Sequence, residues 1–381
     1  MSSIFNTLYL HSHSALFNER VNSLLTPIKD KSLIISLSFF GTSTENTYQE
    51  ELNEIKKIVA AVFNGKSPLL SYIIQSQRNA DEMSVELTYI HETISSESID
   101  FRVFGNVRYA LYKCGNTTFL MTEGVCGKSF SDSITTQATD IFDKIESVLT
   151  NEQIGISDII RQWNYIGHIT EIEEDIQNYQ ALNNARAQFY EKVKWNDGFP
   201  AATGIGMECR GLIVSLMAIA NNGDKQIISL DNPLQTPAFA YSESLLIGNQ
   251  SEIIPKAPPK FERAKVISGD AGLVCFISGT AAIRDEMSMT EMNAGLQTNQ
   301  IIENILYLIS LENLHRQGVV AAKSDLDITS LRVYIKNKED FDAVKAEVEK
   351  VWNHLQIIYL RADICRKELL VEIEGMATGP E

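Results

Sequence analysis

Long apolar runs are missing from this sequence. Its most apolar stretch, "GLIVSLMAIA" (211 to 220), is about half of the ~20 residues needed to cross a bilayer, and is expected to be a core strand. Paired cysteines are missing as well. Cys114, Cys126, Cys209, Cys275 and Cys365 are odd in number, widely spread and free of any CxxC spacing. That argues against a disulfide framework or structural zinc and fits a reducing cytoplasm. Positive charge is short, with 33 Lys and Arg against 49 Asp and Glu and a net charge of -16. A uniformly negative surface repels phosphate, so neither nucleic acid nor an anionic membrane is an expected partner. A small anionic substrate stays compatible, because it answers to local charge and not to the total.

Signature motifs are scarce too. "TGIG" and "SGTAAI" lack Rossmann or P-loop spacing, and no GxSxG elbow or zincin motif occurs. His11 and His13 offer two imidazoles with no third ligand, so no metal and no cofactor is expected. The N-terminus has no basic start followed by a long apolar run and a cleavage site, and does not read as a signal peptide.

What is present is organised. Short β-branched and aromatic runs broken by Gly, Asn, Asp and Ser fill the first 130 residues, which predicts a β-rich, antiparallel N-terminal domain over 1–150. A helix is expected at "DSITTQATDIFDKIESVLTNE", capped by Ser131 or Asp132. An internal repeat follows within a second region, 151–381. "QATDIFDKIESVL", "DIIRQWNYIGHI", "NYQALNNARAQFYEK" and "GIGMECRGLIVSLMAIA" match "QTNQIIENILYLI", "DITSLRVYIKNK", "DFDAVKAEVEKVW" and "ADICRKELLVEIEGMA", each set reading helix, strand, helix, strand. The second copy occupies about 265–381. Both final strands are expected to begin at Cys-Arg, so Cys209-Arg210 and Cys365-Arg366 are taken as equivalent, which sets Glu372 opposite Leu216. Between the copies, residues 231–264 hold five of the nine prolines and predict an extended crossing or the start of the second module.

These segments resemble the RidA/YjgF superfamily and, more specifically, the chorismatase family, whose enzymes are built on RidA-like domains. The carrying stretches are "RQWNYIGHI", "NNARAQFY", "PAATGIG", "NPLQTPAFAY", "FERA", "FISGTAAI" and "ADICRKELLVEIEG", spanning roughly residues 155 to 380. The resemblance implies an α/β (α+β) fold of sheets backed by helices, packed with pseudo-threefold symmetry, and a pocket between modules. It implies cleavage of the enol ether of chorismate, with pyruvate released alongside a dihydrodiol or a hydroxybenzoate, and a glutamate at Glu372 as the acid. Cys365 together with Gly279 is similar to the subclass that forms 3-hydroxybenzoate.

Two carboxylates on such a substrate call for two cationic clamps, and arginine's planar fork suits a carboxylate. The matched segments offer Arg161, Arg186, Arg210, Arg361 and Arg366, each with a surface ion pair as its plain alternative. Thr203, Tyr241, Ser278 and Gly279 complete the expected ligand contacts. Alternation places Glu368, Leu370, Glu372 and Glu374 on one strand face, which by itself reads as a solvent face. The repeat weighs against that, since "LIVSLMAIA" carries no acid. Cys365 is a pocket wall or an assistant to catalysis, and both options stand. The sequence departs from the family after "SGTAAI", where "RDEMSMTEMNAGLQTNQ" lacks the expected His and Gly-Asp pair, and at Leu234, where a basic residue is usual. An imine or enamine deaminase and a non-catalytic small-molecule binder are the competing functions. A monomer or small homo-oligomer is expected.

Overall fold

The structure, a computed structural model, describes residues 5–28, 33–90, 99–114, 117–221, 226–248, 256–269, 272–290 and 293–380. The first sheet is built from β1 (Phe5–His13), β2 (Ile34–Gly41), β3 (Leu69–Ile74) and β4 (Glu82–Ile90), with α1 (Phe17–Leu25) and α2 (Tyr48–Val62) between them. The second contains β5 (Ile99–Phe104), β6 (Val107–Cys114) and β7 (Thr117–Cys126), then α3 (Ile134–Asn151), β8 (Ile159–Gly167), the small pair β9 (Ile172–Glu173) and β10 (Ile176–Gln177), α4 (Asn178–Tyr190), β11 (Ala201–Met207) and β12 (Leu212–Asn221). The third comprises β13 (Gln226–Leu230), β14 (Ala264–Gly269), β15 (Gly272–Ala281), the small pair β16 (Ile283–Arg284) and β17 (Met287–Ser288), α5 (Ala294–Leu308), α6 (Leu311–Arg316), β18 (Asp327–Ile335), α7 (Phe341–Trp352), β19 (Ile357–Arg361) and β20 (Val371–Gly379).

Strand order makes the three sheets copies of one another. The second runs β5-β6-β7-β12-β8-β11 and the third β13-β14-β15-β20-β18-β19, the same path through space. The first, β1-β4-β2-β3, is that path without its opening hairpin. In every copy a helix precedes one strand, and another follows it before the chain returns as a parallel neighbour: β2 to β3, β8 to β11 and β18 to β19, as a crossover connection requires. The third sheet follows the path of the second, and the first sheet precedes both with a shorter form of it. The sheet of β5 to β12 runs across residue 150, so the expected β-rich 1–150 unit contains all of one sheet and half of the next. It also contains α1, α2 and a parallel β2–β3 pair that its turn-rich composition did not announce.

Register makes the correspondence residue by residue. Met121 pairs with Met217 as Phe276 pairs with Met376, and as Thr7 pairs with Thr88. Ser38, Trp163 and Arg332 likewise face Glu86, Ser215 and Glu374. The triads Thr7/Met121/Phe276, Thr88/Met217/Met376 and Ser38/Trp163/Arg332 line one central cavity, the axis of a pseudo-threefold molecule. β7 and β15 each bulge against their partner, between Thr122 and Val125 and between Ile277 and Thr280. Gly124 thus matches Gly279.

Sheets packed on both faces have buried strands, which is why β2 reads "IISLSFFG" with no exposed position. The helix-side cores follow the 3.6-residue period, as in α3, where Ile134, Ile141, Ile145 and Val148 are buried. Its cap is Ser133, whose hydroxyl accepts from Thr136 N, in place of the expected Ser131 or Asp132. Of the connection from β13 to β14, the described residues 231–248 and 256–263 include several that line the cleft described next.

Candidate active site

Three clefts lie between neighbouring sheets among the described residues, and the one between the second and third is lined by half of the expected site residues. α4 and β11 form one wall; β15, β20 and the connection before β14 form the other. Glu372, Cys365, Arg186, Tyr241 and Gly279 all line it. So do Arg263, Arg366, Tyr179 and Asn183, which were not among the expected contacts apart from the possibility of Arg366.

Glu372 is buried, and no hydrogen bond reaches its carboxylate among the described residues. Burial raises its pKa to about 8; the charge of Glu374 adds to this, while Arg161 and Arg263 partly oppose it. Gly279 makes room for the group. A Cβ there would overlap a Glu372 carboxylate oxygen and lie 3.0 Å from its Cδ and 3.1 Å from Thr203 Cγ2. β20 begins only at Val371, so the alternation expected from Glu368 does not hold: Glu368 is exposed in the turn before the strand, and the acid face starts at Glu372.

The cations beside it are tethered yet incompletely satisfied. Arg186 donates from Nη2 to Asn183 Oδ1 at 2.8 Å, while its Nε and the Asn183 amide nitrogen have no partner. Arg263 donates from Nη2 to Thr236 O at 2.7 Å and to Tyr241 Oη at 2.8 Å, leaving Nε unpaired. Buried donors without acceptors are costly, so polar atoms of this kind in a cleft mark where a ligand's acceptors belong. Arg366 donates to Glu286 O at 2.9 Å and Ser288 Oγ at 3.0 Å, and lies 5.2 Å from the Tyr241 ring. The segment that departs from the family thereby becomes a support for the cleft wall.

Cys365 lines the same space. Burial pushes its thiol up to about 12, with Glu372 adding to the shift, so the resting group is a neutral thiol.

Other expected contacts lie elsewhere. Arg161 faces the axial cavity, where it donates to Thr203 Oγ1 at 2.8 Å and pairs with Glu374. Thr203 also accepts from Gly279 N at 3.1 Å and donates to Glu374, making it a brace behind the cleft. Ser278 is fully buried, donating to Glu262 O at 2.6 Å and accepting from Ala202 N at 2.9 Å, a tie between sheets. Arg210 pairs with Glu173 at 3.0 Å, and Arg361 lies 3.6 Å from Glu208, both at the surface. Their plain alternative, the surface ion pair, is what the structure contains. Arg161 fails as a clamp for a geometric reason: it shares a strand face with Trp163, and that face points to the axis.

Glu374 differs from Glu372 despite sharing its strand face. Burial would raise it, but Arg161 and Arg332, then the hydroxyls of Thr203 and Tyr334, hold it below the usual carboxylate range. The register also corrects the expected equivalence of Glu372 with Leu216. Cys126 pairs with Ile213 as Ala281 pairs with Glu372, so Ile213 is the counterpart. The loop after Cys365 is three residues longer than that after Cys209, which shifted an alignment anchored on Cys-Arg. The conclusion that the other copy lacks the acid stands.

His11 bonds Ser84 Oγ at 2.5 Å and His13 lies 3.7 Å from Glu82; no group of three or more His, Cys, Asp or Glu able to hold a metal ion occurs among the described residues. No helix among the described residues is long and apolar enough to cross a membrane.

Residues 97–218 match the family described as Chorismatase FkbO/Hyg5-like, N-terminal. A 3-hydroxybenzoate synthase of Streptomyces hygroscopicus is 33% identical over 232 residues, covering 59% of this chain and 65% of that protein. A chorismatase of Streptomyces rapamycinicus is 30% identical over 244 residues, covering 62% of this chain and 67% of the relative. The chain thus spans just under two thirds of the first relative's length. A solved chorismatase structure superposes over 99% of this chain and 100% of its own, with a TM-score of 0.73 at 21% identity, so the likeness in fold takes in the first sheet as well. With 30% identity across 67% of the Streptomyces rapamycinicus relative and the same fold as the solved structure, the chain belongs to the chorismatase family.

Proposed function

We propose that the protein cleaves the enol ether of chorismate, releasing pyruvate and 3-hydroxybenzoate, with Glu372 as the general acid. The observation that carries this reading is a single one: a buried carboxyl with a pKa raised to about 8 faces a cleft edged by Arg186 and Arg263, and among the described residues neither that carboxyl nor either arginine's Nε has a hydrogen-bond partner.

The chemistry suits that arrangement. Cleaving an enol ether requires a proton on the terminal methylene carbon, which leaves an oxocarbenium ion. Carbon is slow to accept a proton, so the acid must be aimed and still protonated near neutral pH. Burial supplies the second condition, as it does for acids in glycoside cleavage. Arg186 and Arg263 face the substrate's two carboxylates; holding both fixes the methylene against Glu372 and converts an encounter into a positioned reaction. The substrate's C4 hydroxyl then captures the oxocarbenium carbon to close a cyclic ketal; the ring C4–O bond breaks as the C3 proton is lost, which aromatises the ring, and the remaining hemiketal collapses to pyruvate and the 3-hydroxyl. Chorismate divides into pyruvate and 3-hydroxybenzoate with no net water, whereas capture by water yields a diol. A neutral Cys365 beside Glu372, and a Gly279 that lets the Glu372 carboxylate pack against its backbone, favour the intramolecular course by shaping the ring pocket.

The test is incubation with chorismate, followed by pyruvate assay and product separation. Pyruvate with 3-hydroxybenzoate is the expected outcome. Release of no pyruvate overturns the reading, and a diol or 4-hydroxybenzoate overturns the product assignment.

A further inference from the structure

We propose that the cleft between the first and second sheets is a second binding site, for a small organic dicarboxylate, which keeps the cation pair of the Glu372 cleft without its acid. This goes beyond cleavage at Glu372 and shares with that reading only the class of ligand.

Equivalent residues carry the argument. Tyr109 pairs with Thr122 as Ala264 pairs with Ile277, so Arg108 occupies the position of Arg263. Lys56 and Arg186 are each the ninth residue of the helix that walls their cleft, α2 and α4. Lys56 and Arg108 both line the cleft between the first two sheets, as Arg186 and Arg263 line the other. Glu372 is replaced by Ile213, so the anion-binding half of the site is repeated and the proton donor is not.

The repetition is not a by-product of the fold. The third cleft, between the third and first sheets, has Glu349 at the ninth position of α7 and, lacking the opening hairpin, has no counterpart of Arg263. One pseudo-equivalent cleft has kept both cations and one has kept neither.

Electrostatics favour an anion there. Arg108 is held at the edge by the carbonyls of Ser67 and Pro68, the latter at 3.1 Å, and its guanidinium stacks 5.1 Å from the Phe101 ring. Lys56 is exposed and has no hydrogen-bond or ion-pair partner among the described residues. Lys128 and Lys144 add to the same cleft, although both pair with Asp140, at 4.0 and 2.7 Å. Glu123, the acid that also lines this cleft, turns its carboxylate to the hydroxyls of Ser38 and Ser71 at 2.6 and 2.8 Å. On a chain of net charge -16, such a cationic cleft concentrates small anions. Gly124, the match of Gly279, has the Leu70 carbonyl oxygen 2.9 Å from where its Cβ would be, so β3 fills the hollow that Glu372 occupies in the other cleft. Binding without turnover is the consequence.

Calorimetric titration of the full chain with malonate decides the matter, using Lys56→Glu and Arg186→Ala as arms. Two malonate sites per chain are expected. Lys56→Glu should weaken one by about tenfold or more and leave the other, and chorismate cleavage at low substrate, unchanged; Arg186→Ala should remove the complementary site. A count of one, a count of none, or a Lys56→Glu titration matching the parent overturns the proposal. Because malonate reports directly on the cleft, a failure of chorismate cleavage leaves this result readable.

Discussion

At Glu372 the sign of the pH dependence follows from which protonation state works. A general acid must hold its proton, and burial with the neighbouring Glu374 keeps that proton on up to about pH 8. Activity should therefore be level near neutrality and fall as pH rises through about 8, seen in the kcat profile. Glu372→Gln, equal in size and unable to donate to carbon, should lower kcat by about 100- to 10,000-fold with an unchanged circular dichroism spectrum. Glu374→Gln offers an independent check. It removes a negative charge that raises Glu372 and frees Arg161 to lower it further, so the basic limb should move to lower pH. A limb that stays in place would show that Glu372 is not the titrating group. Gly279→Ala should push the carboxyl aside, and a product mixture drifting from 3-hydroxybenzoate, with kcat reduced at least about tenfold, is the expected readout.

Elements were legible in the sequence where periodicity was strong and opaque where geometry decided. The matched pairs α3 and α5, β8 and β18, α4 and α7 showed in the hydrophobic pattern, whereas both Cys-Arg pairs lie in the loops ahead of β12 and β20 and not at the strand starts where they were expected. The first copy escaped notice because α2, "YQEELNEIKKIVAAV", shares no motif with α4 or α7 and the copy lacks the opening hairpin. Arg263 escaped because it follows a proline-rich crossing whose path no pattern reveals, although "FERA" was among the family-like stretches. Arg161 was misplaced because strand alternation gives two faces without saying which one meets the cleft and which the axis. Helix ends were missed by a residue or two, the usual margin when several hydroxyls precede a helix. That margin is testable: Ser133→Ala should cost about 1 kcal/mol in a denaturant titration, and Ser131→Ala, outside the cap, close to nothing.

Across the whole molecule the three copies are clamped at the axis by charge. Arg332 of the third sheet makes a two-pronged contact with Glu86 of the first, both distances 2.6 Å, and donates to Tyr165 Oη of the second at 2.6 Å. It also reaches Glu374 at 3.2 Å, which in turn holds Arg161 of the second sheet. Both members of the Arg332–Glu86 pair are buried, so removing one strands a charge, at a cost of about 3 to 5 kcal/mol. Arg332→Met should therefore lower the melting temperature sharply and open the first sheet to protease. The cost belongs to the stranded carboxylate as much as to the lost bond, so Arg332→Met combined with Glu86→Gln should recover part of it. Strict additivity of the two single losses would mean that the ion pair does not couple the sheets. Since Glu374 is held partly by Arg332 and itself raises Glu372, the same single variant should shift the pH at which activity falls, although Arg332 does not line the Glu372 cleft. A melting temperature that drops with the pH profile unmoved would confine the axial cluster to holding the sheets together.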